Sequence, residues 1–315
     1  MRRYGSIGEL PLGATRRVLA LGNFDGVHIG HQAIIRRAVE LATARGERSM
    51  VVTFHPSPLS VLRPEIRTSI LTSPALKASL IERLGVDELL VIPFNRSFSR
   101  IRAERFIEIL AARPVNAAGI VVGEAFRFGH GGTGTAALLR DVGRAHGIVI
   151  ETPDNVASAD GKPISSTRIR RLISQGEVDD VIELLGRPHC VEGTVVHGDG
   201  RGRTIGVPTA NLDPFPADAA TPEPGVYAGT MVLPHGREAA AINVGVAPTF
   251  TAGLGRVPVR IEAHLLDYSG GDLYASPARL EFVARLRGER RFPDVAALVA
   301  QIQSDIASAR AILGS

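Results

Sequence analysis

The stretch RVLALGNFDGVHIGHQAIIRRAVELATARG, residues 17–46, decides the class of fold at the start of the chain. Its first part, residues 17–24, is an apolar run that is typical of a buried strand. From residue 31 onward apolar side chains recur at helical spacing, and Gly46 is a natural helix stop. A buried strand, a glycine-rich turn and an amphipathic helix in this order predict the opening of a βαβ unit.

The same alternation continues to residue 151. Strand-like runs alternate with helical patterns, the runs at 49–54, 88–94, 119–123 and 148–151 and the helices at 73–85, 103–113 and 134–147. Strands that are separated by helices pair in parallel, with the helices packed on the sheet. The first part of the chain is therefore predicted to be an α/β domain whose parallel sheet has helices on both faces.

The pattern changes after two consecutive helical segments, 166–176 and 178–186. Strand-like segments separated by Gly, Pro and Asp turns then follow, at 191–198, 225–234, 238–246, 257–268 and 278–287. They predict a small antiparallel barrel or sandwich. We place the domain boundary at 186, which gives domains of residues 1–186 and 187–315.

The last segment, 292–313, is predicted to be a helix that docks against the β domain. One apolar stripe carries this prediction, and it is interpreted as buried core; its members are Val295, Leu298, Val299, Ile302, Ile306, Ala309 and Leu313.

Composition and charge exclude several classes of function. The chain has 315 residues and a formal net charge of +4, and nearly all of its cations are arginine. Only the basic isoelectric point and TRIRR (167–171) favour nucleic acid, so small anionic ligands are the better prediction. No apolar segment approaches the ~18 residues of a membrane span. The N-terminus lacks a secretory signal, and Cys190 is the only cysteine, so we expect a cytoplasmic protein without a membrane partner.

The turn GNFDGVHIGH, residues 22–31, is the first candidate site. It follows the first strand, and ligands of open α/β sheets bind at the carboxyl ends of strands. Glycines allow close backbone approach, and a helix N-terminus near Gly30 offers free N–H groups to an anion. His28 and His31 would face that anion. A metal ion or a buried structural role are the alternatives for the pair, although no third metal ligand is evident nearby.

The second candidate site is GDGRGRTIGVPTANL, residues 198–212, where a loop of glycines and arginines runs into Thr209 and Asn211. Guanidinium groups suit phosphate oxygens. Thr and Asn oxygens are ligands that Mg²⁺ accepts beside nucleotide phosphates. The stretch therefore predicts a magnesium–nucleotide site, and an ordinary hairpin loop is the alternative.

Taken in order, these motifs resemble those of the bifunctional prokaryotic riboflavin kinase/FMN adenylyltransferase family. HIGH (28–31) is similar to the HxGH motif of nucleotidylyltransferases, and ISSTRIR (164–170) resembles the second phosphate-binding motif of that superfamily. PTAN coupled to the glutamate that opens EAHLLDY (262–268) resembles the kinase part. The resemblance implies a Rossmann-like nucleotidylyltransferase domain, then a riboflavin-kinase-type antiparallel β-barrel with a long C-terminal helix.

The resemblance also implies roles for residues of the first domain. His28 and His31 would stabilise the α-phosphate of ATP as pyrophosphate leaves. The other residues implied to bind ATP or its phosphates here are Gly22, Asp25, Gly26, Gly30, Ser165, Ser166, Thr167 and Arg168. By themselves, the residues of ISST predict only a helix cap.

In the second domain the resemblance implies that Thr209 and Asn211 hold Mg²⁺ with the ATP phosphates, and that Gly200, Arg201 and Gly202 bind ATP. Glu262 would act as general base on the ribityl hydroxyl of riboflavin. Strand alternation can place Glu262 at the barrel mouth; a surface carboxylate paired with Arg260 is the alternative.

The implied activity has two steps. Riboflavin and ATP give FMN, and then FMN and ATP give FAD and pyrophosphate. The expected partners are riboflavin, FMN and ATP, and the expected state is a monomer or weak homo-oligomer. The candidate contacts of the flavin ring are Phe250 and the loop 285–292.

Three positions depart from the family pattern. His55 and Ser57 stand where the family usually has Asp and His, and Ala125 stands where it has Asn or Asp. These departures keep two alternatives open. One is a riboflavin kinase with a weakened adenylyltransferase domain, and the other is a regulator that binds flavin or nucleotide without turnover.

Overall fold

The computed structural model describes residues 1–13, 15–198, 200, 202, 205–246 and 259–314. Its contacts form two compact units, and each unit is described by itself. The first consists of residues 1–68 and 74–165, and the second of residues 69–73 with the described residues from Ser166 onward.

The first unit is a parallel α/β sheet, as predicted. Its strands are β1 (Arg2–Tyr4), β2 (Arg17–Leu21), β3 (Arg48–His55), β4 (Glu88–Pro93), β5 (Ala117–Val121) and β6 (Val149–Glu151). Its helices are α1 (Ile29–Arg45), α2 (Pro58–Leu62), α3 (Pro74–Glu82), α4 (Ala103–Ala111) and α5 (Ala136–Ala145). The short elements β1 and α2 were not predicted, since three and five residues give too little periodicity to recognise.

The sheet has the strand order β1-β4-β3-β2-β5-β6, and every paired strand is parallel. Successive strands run outward from β2 to β4, and the chain then crosses back to β5 on the other side of β2. The switch of direction therefore lies between β2 and β5, where ligands of such sheets bind. Residues 22–31 leave the carboxyl end of β2 at this point.

Helices cover both faces of this sheet, which confirms the prediction. On one face α1 and α3 pack through Ile35, Ala38 and Ile81. On the other face α4 and α5 pack through Ile107 and Leu139. Alternate residues of the buried strand β2 belong to the two layers, so the continuous apolar run in the sequence reflects a strand buried on both sides.

A buried ion pair holds the opposite end of the sheet from the candidate site. Arg17, at the start of β2, lies 2.5 Å from the carboxylate of Glu88 on β4, and both side chains are 1% exposed. Arg17 also donates to the carbonyls of Pro114 and Val115 at 2.8 and 3.1 Å. The guanidinium therefore joins two strands to the segment that leads into β5.

Replacing Arg17 with methionine is expected to destabilise the chain by about 3–5 kcal/mol, because Glu88 would remain buried without its counter-charge. Urea unfolding followed by circular dichroism measures the loss. The matched control is Arg105→Met, which breaks an exposed pair with Glu108 on α4 and should change stability by at most about 1 kcal/mol. Equal effects of the two substitutions would contradict the prediction.

The second unit contains a closed antiparallel barrel, so the barrel rather than the sandwich is correct. Its helices are α6 (Ser166–Ser174), α7 (Val178–Leu185) and α8 (Val295–Leu313). Its strands are β7 (His189–Val196), β8 (Ala210–Pro214), β9 (Gly225–Leu233), β10 (Gly236–Val246), β11 (Val259–Leu265) and β12 (Pro277–Gly288). The barrel order is β10-β11-β8-β7-β12-β9. Strand β8 was not among the predicted strands; it begins inside the stretch 198–212 and extends beyond it.

The compact units do not divide at residue 186. Residues 166–185 belong with the barrel, because α7 packs against β12 and β7 and buries Val178 in the barrel core. Helical periodicity showed where α6 and α7 lie, but it carries no information about which sheet covers their apolar faces.

Helix α8 docks against the barrel, as predicted. Asp294 caps its start by accepting from the Ala297 N–H at 2.7 Å, and Ala309 packs on Ala228 and Leu266. The prediction that the whole stripe is buried core is wrong. Val295 is 62% exposed, and three other members of the stripe face a cavity that is described below.

Candidate functional site

The loop between β2 and α1 has a strained backbone. Phe24, Gly26 and Val27 have φ angles of 49°, 86° and 42°. Positive φ suits glycine but is unfavourable for Phe and for β-branched Val. Both of these side chains are only 1% exposed, so their burial offsets the strain and holds the loop in one shape.

Asn23 is the centre of the hydrogen bonds that support this loop. Its main-chain carbonyl accepts from Thr53 Oγ1 at 3.1 Å and from Lys77 Nζ at 2.8 Å. Its amide Nδ2 donates to Ser57 Oγ at 3.4 Å. Its Oδ1 is buried and has no hydrogen-bond partner among the residues that the structure describes. The sequence analysis assigned no role to Asn23 or Lys77, although Asn23 lies inside the motif.

The structure brings the two predicted histidines together at the start of α1. His28 is the N-cap, and its Nδ1 accepts from the His31 N–H at 3.2 Å. The two rings stack with centroids 3.5 Å apart. Because Nδ1 accepts this bond, the neutral ring of His28 carries its proton on Nε2.

The surroundings of His31 disfavour its protonated form. Burial, followed by the charges of His28 and Lys77, lowers the pKa of His31 well below its ordinary value. Its Nδ1 is buried without a hydrogen-bond partner in the described part of the chain. The metal-ion alternative finds no support there, since the described residues contain no group of three or more His, Cys, Asp or Glu arranged to hold a metal.

The other residues predicted for this site fall in two places. Gly22, Asp25 and Gly26 lie in the strained loop, and Gly30 lies in the first turn of α1. Ser165 is the last residue of the first unit. Ser166, Thr167 and Arg168 form the first turn of α6 in the second unit, as a helix-start pattern predicts.

The three departing positions lie near the carboxyl edge of the sheet. His55 is the last residue of β3, Ser57 contacts Asn23, and Ala125 follows β5 in an exposed loop. Ser57 is therefore a neighbour of the strained loop rather than an unrelated surface residue.

A chain of aromatic rings, missed by the sequence analysis, occupies the same edge. Each ring centroid lies 5.7–6.0 Å from the next, in the order Phe54, Phe94, Phe98, Phe106, Phe128 and Phe126. Phe94, Phe98 and Phe126 are only partly buried. These phenylalanines come from the ends of β3 and β4, from helix α4 and from the segment after β5, so no single stretch of sequence contains the cluster.

The second unit contains a cavity of about 630 Å³. It lies between the outer wall of the barrel and α8. The residues that line it and are used below are Gly202, Thr209, Asn243, Glu262, His264, residues 287 and 289–292, Leu298, Ile302 and Ile306. Residues of the predicted flavin loop thus line the cavity, whereas Phe250 and Arg201 lie outside the described residues.

Glu262 lies on the outer wall, not at the barrel mouth. Its neighbours Ile261 and Ala263 are fully buried in the barrel core, so alternation along β11 turns Glu262 toward the cavity. The register places Glu262 opposite Asn211 on β8 and opposite Asn243 on β10. The predicted glutamate and asparagine are therefore neighbours on paired strands.

Arg260 joins this group. Its Nε lies 2.8 Å from the carboxylate of Glu262 and 3.4 Å from Asn211 Oδ1. The pairing that was the alternative for Glu262 is present, but it lies beside the cavity rather than away from it. His264 Nδ1 donates to the Pro208 carbonyl at 2.8 Å, which fixes the residue before Thr209.

Two of the described glycines of the glycine-rich loop lie close to the two predicted magnesium ligands. A Cβ on Gly198 would overlap the side chain of Asn211. A Cβ on Gly202 would lie 3.3 Å from Thr209 Oγ1. Gly200 has a φ of 69°. At Gly198 and Gly202 only glycine permits this approach, so these two glycines form a cradle around Thr209 and Asn211, and Asn211 Oδ1 also accepts from Arg260 Nε.

An ion pair forms part of the cavity wall beside α8. Arg287 contacts the carboxylate of Asp305 at 2.7 Å, and Asp305 also accepts from Gln301 at 2.9 Å. The Arg287 guanidinium lies 5.7 Å from the centre of the Phe292 ring. These contacts place residues of the loop 285–292 against the helix and give the cavity an apolar and cationic side.

Comparison with known proteins matches the two parts of the chain to two families. The model of the family FAD synthetase matches residues 12–168, and the model of the family riboflavin kinase matches residues 185–313. Over 94% of its length the chain is 35% identical to the bifunctional riboflavin kinase/FMN adenylyltransferase of Pseudomonas fluorescens, of which 92% is covered. The enzyme of the same name from Escherichia coli K12 is 36% identical, with 94% and 93% of the two chains covered.

A solved structure has the same fold along the whole chain. The crystal structure of a protein described as a macrolide-efflux protein from Streptococcus pneumoniae gives a TM-score of 0.86 at 32% identity, covering 98% of both chains. In the described residues of the present chain, none of the helices has the length and apolar character that crossing a membrane requires.

Both family models and both curated relatives agree, and the chain belongs to the bifunctional riboflavin kinase/FMN adenylyltransferase family.

Proposed function

We propose that the chain phosphorylates riboflavin to FMN in its second unit and transfers AMP from ATP to FMN in its first unit, releasing pyrophosphate. The observation that carries the proposal is that the two units hold different chemical sites. The second unit has a carboxylate and the Thr209 hydroxyl in a cavity, with Asn211 opposite that carboxylate, and the first has two stacked histidines at a helix N-terminus.

Phosphorylation of riboflavin requires a base, because an alcohol is a poor nucleophile until its proton is removed. Glu262 faces the cavity and is available to accept the proton of the ribityl hydroxyl as the γ-phosphoryl group is transferred. Arg260 keeps this carboxylate oriented beside Asn211. The family resemblance assigns the same role to Glu262.

The close approach of these glycines to Thr209 and Asn211 supports the proposal that a magnesium ion binds here together with ATP. Thr209 Oγ1 and Asn211 Oδ1 are hard oxygen ligands, and the backbone of Gly198 and Gly202 approaches them closely enough to leave no room for other side chains. When bound, Mg²⁺ neutralises charge on the transferring phosphates. Removing it with EDTA is expected to stop both reactions.

Adenylyl transfer needs no protein base, because the phosphate of FMN is already ionised and acts as the nucleophile. The reaction needs donors that stabilise charge on the α-phosphate and on the leaving pyrophosphate. His28 and the remaining main-chain N–H groups at the start of α1 are the donors that we propose for these phosphates. His31, stacked on His28, supplies the second ring.

Aromatic surfaces for the flavin lie in both units. In the first unit the partly buried rings Phe94, Phe98 and Phe126 provide a stacking surface beside the sheet edge. In the second unit Phe292 and the apolar residues of α8 line the cavity. Aromatic and apolar surfaces of this kind suit the flat isoalloxazine ring.

One experiment separates the proposal from its alternatives. The purified protein is incubated with riboflavin, ATP and Mg²⁺, and the flavins are separated by chromatography. We expect FMN first and FAD afterwards. FMN that persists when fresh FMN and ATP are supplied would mean that the first unit, which departs from the family at His55, Ser57 and Ala125, is catalytically impaired. Flavin binding without either product would identify a regulator.

A further inference from the structure

Lys77 is one of two lysines in the chain and lies outside every motif discussed above. It is on α3, and its side chain reaches the loop between β2 and α1. Its Nζ donates to the carbonyl of Asn23 at 2.8 Å. Asn23 directly precedes the strained part of the loop, which begins at Phe24. The hydrogen bond from Lys77 therefore holds Asn23, the residue directly before the strained segment.

The surroundings of Lys77 act on its pKa in two opposite directions. Burial lowers the pKa of Lys77, and the carboxylate of Asp25 opposes that effect. Asp25 is in the same loop and is 6% exposed. The charge of Lys77 also contributes to the lowered pKa of His31. Lys77 is thus electrostatically coupled to Asp25 in the loop and to His31 in the histidine pair.

A structural role alone does not explain a lysine here. Thr53 already donates a neutral hydrogen bond to the same carbonyl, at 3.1 Å. Placing a cation in a partly buried position is unfavourable unless something compensates it, and a neutral donor would support the loop without that penalty. A fixed cation is useful where a triphosphate must be bound and pyrophosphate must leave.

We infer that Lys77 is a positioning residue for adenylyl transfer: its ammonium group orients the Asn23 carbonyl and contributes a positive charge near His31 for the phosphates of ATP. The inference rests on the first-unit site proposed above, and it adds a residue that none of the motifs contains. Lys77 acts by holding the loop in place and through the electrostatic field of its charge.

The test compares two substitutions that remove different parts of this arrangement. Lys77→Gln keeps a donor for the Asn23 carbonyl but removes the charge. Thr53→Val removes the neutral donor to the same carbonyl and keeps the charge. Both variants are assayed for FAD formation from supplied FMN and ATP. Riboflavin phosphorylation, which uses the second unit, is measured in the same samples to show that the chain is folded.

We expect Lys77→Gln to lower kcat for FAD formation by about 30-fold or more, on the scale of a lost transition-state charge contact. Thr53→Val should lower it by less than about fivefold, the scale of one neutral hydrogen bond. Equal losses in the two variants, or a loss below about threefold in Lys77→Gln, would overturn the inference. The first result would leave Lys77 as a support of the loop only.

A second measurement does not depend on activity. NMR titration of His31, assigned with a His31→Gln variant, reports the electrostatic coupling directly. The pKa of His31 should rise toward its ordinary value in Lys77→Gln, because a neighbouring positive charge is removed, and should stay lowered in Thr53→Val. An unchanged titration in Lys77→Gln would overturn the inference. Failure of the unmodified chain to form FAD would instead count against the proposed site.

Discussion

Replacing Glu262 with glutamine is expected to lower the rate of riboflavin phosphorylation by about 10²- to 10⁴-fold, the range that a positioned general base contributes. Glutamine keeps the size of the side chain and its place opposite Asn211, but it cannot accept the proton of the ribityl hydroxyl. FAD formation from supplied FMN uses the first unit and should stay within about twofold. Flavin chromatography at saturating ATP measures both rates.

The matched control for this variant is Glu281→Gln. Glu281 is also a barrel glutamate in an ion pair with arginine, since it contacts Arg237 at 2.6 Å and Arg279 at 3.1 Å, but it does not line the cavity. Its replacement should leave phosphorylation within about twofold. If Glu262→Gln retains a tenth or more of the original rate, Glu262 is not the base.

Replacing His31 with glutamine is expected to change the two rates in the opposite way to Glu262→Gln. FAD formation from supplied FMN should fall by about 10²- to 10³-fold, because a donor to the transition state at the α-phosphate is lost. Riboflavin phosphorylation should be unchanged, since the substitution lies in the first unit. The rates are measured separately with FMN and with riboflavin as the supplied flavin.

His146→Gln is the control for the histidine variant. His146 ends α5 in the same unit, is exposed and lies outside the loop that carries His28 and His31. It should lower neither rate. A His31→Gln enzyme that forms FAD at more than a third of the original rate would contradict the role of the histidine pair.

The sequence was sufficient for the features that depend on local periodicity. The alternation of apolar runs and amphipathic segments predicted the parallel sheet, and the glycine-rich turn after the first strand predicted where His28 and His31 would meet. The change of period near residue 186 predicted a β domain, and the long apolar stripe predicted that α8 docks on it. Each of these signals lies within one short stretch of chain.

Features formed by residues that are far apart in the chain could not be predicted from local periodicity. Lys77 and Asn23 are far apart in the chain and meet only because α3 packs beside the loop. Arg17 and Glu88 form their pair because β4 returns to the same sheet. The aromatic cluster draws its rings from several strand ends, so its existence depends on the strand order.

Glu262 shows most clearly what the sequence determined and what the tertiary structure determined. The sequence placed it in a strand whose alternate residues point to opposite faces, and the motif made it the candidate base. Which face is the barrel interior and which faces the cavity was decided by closure of the barrel and by the position of α8. Periodicity assigns a residue to one of two faces, but only long-range packing determines what covers each face, because the covering element lies elsewhere in the chain.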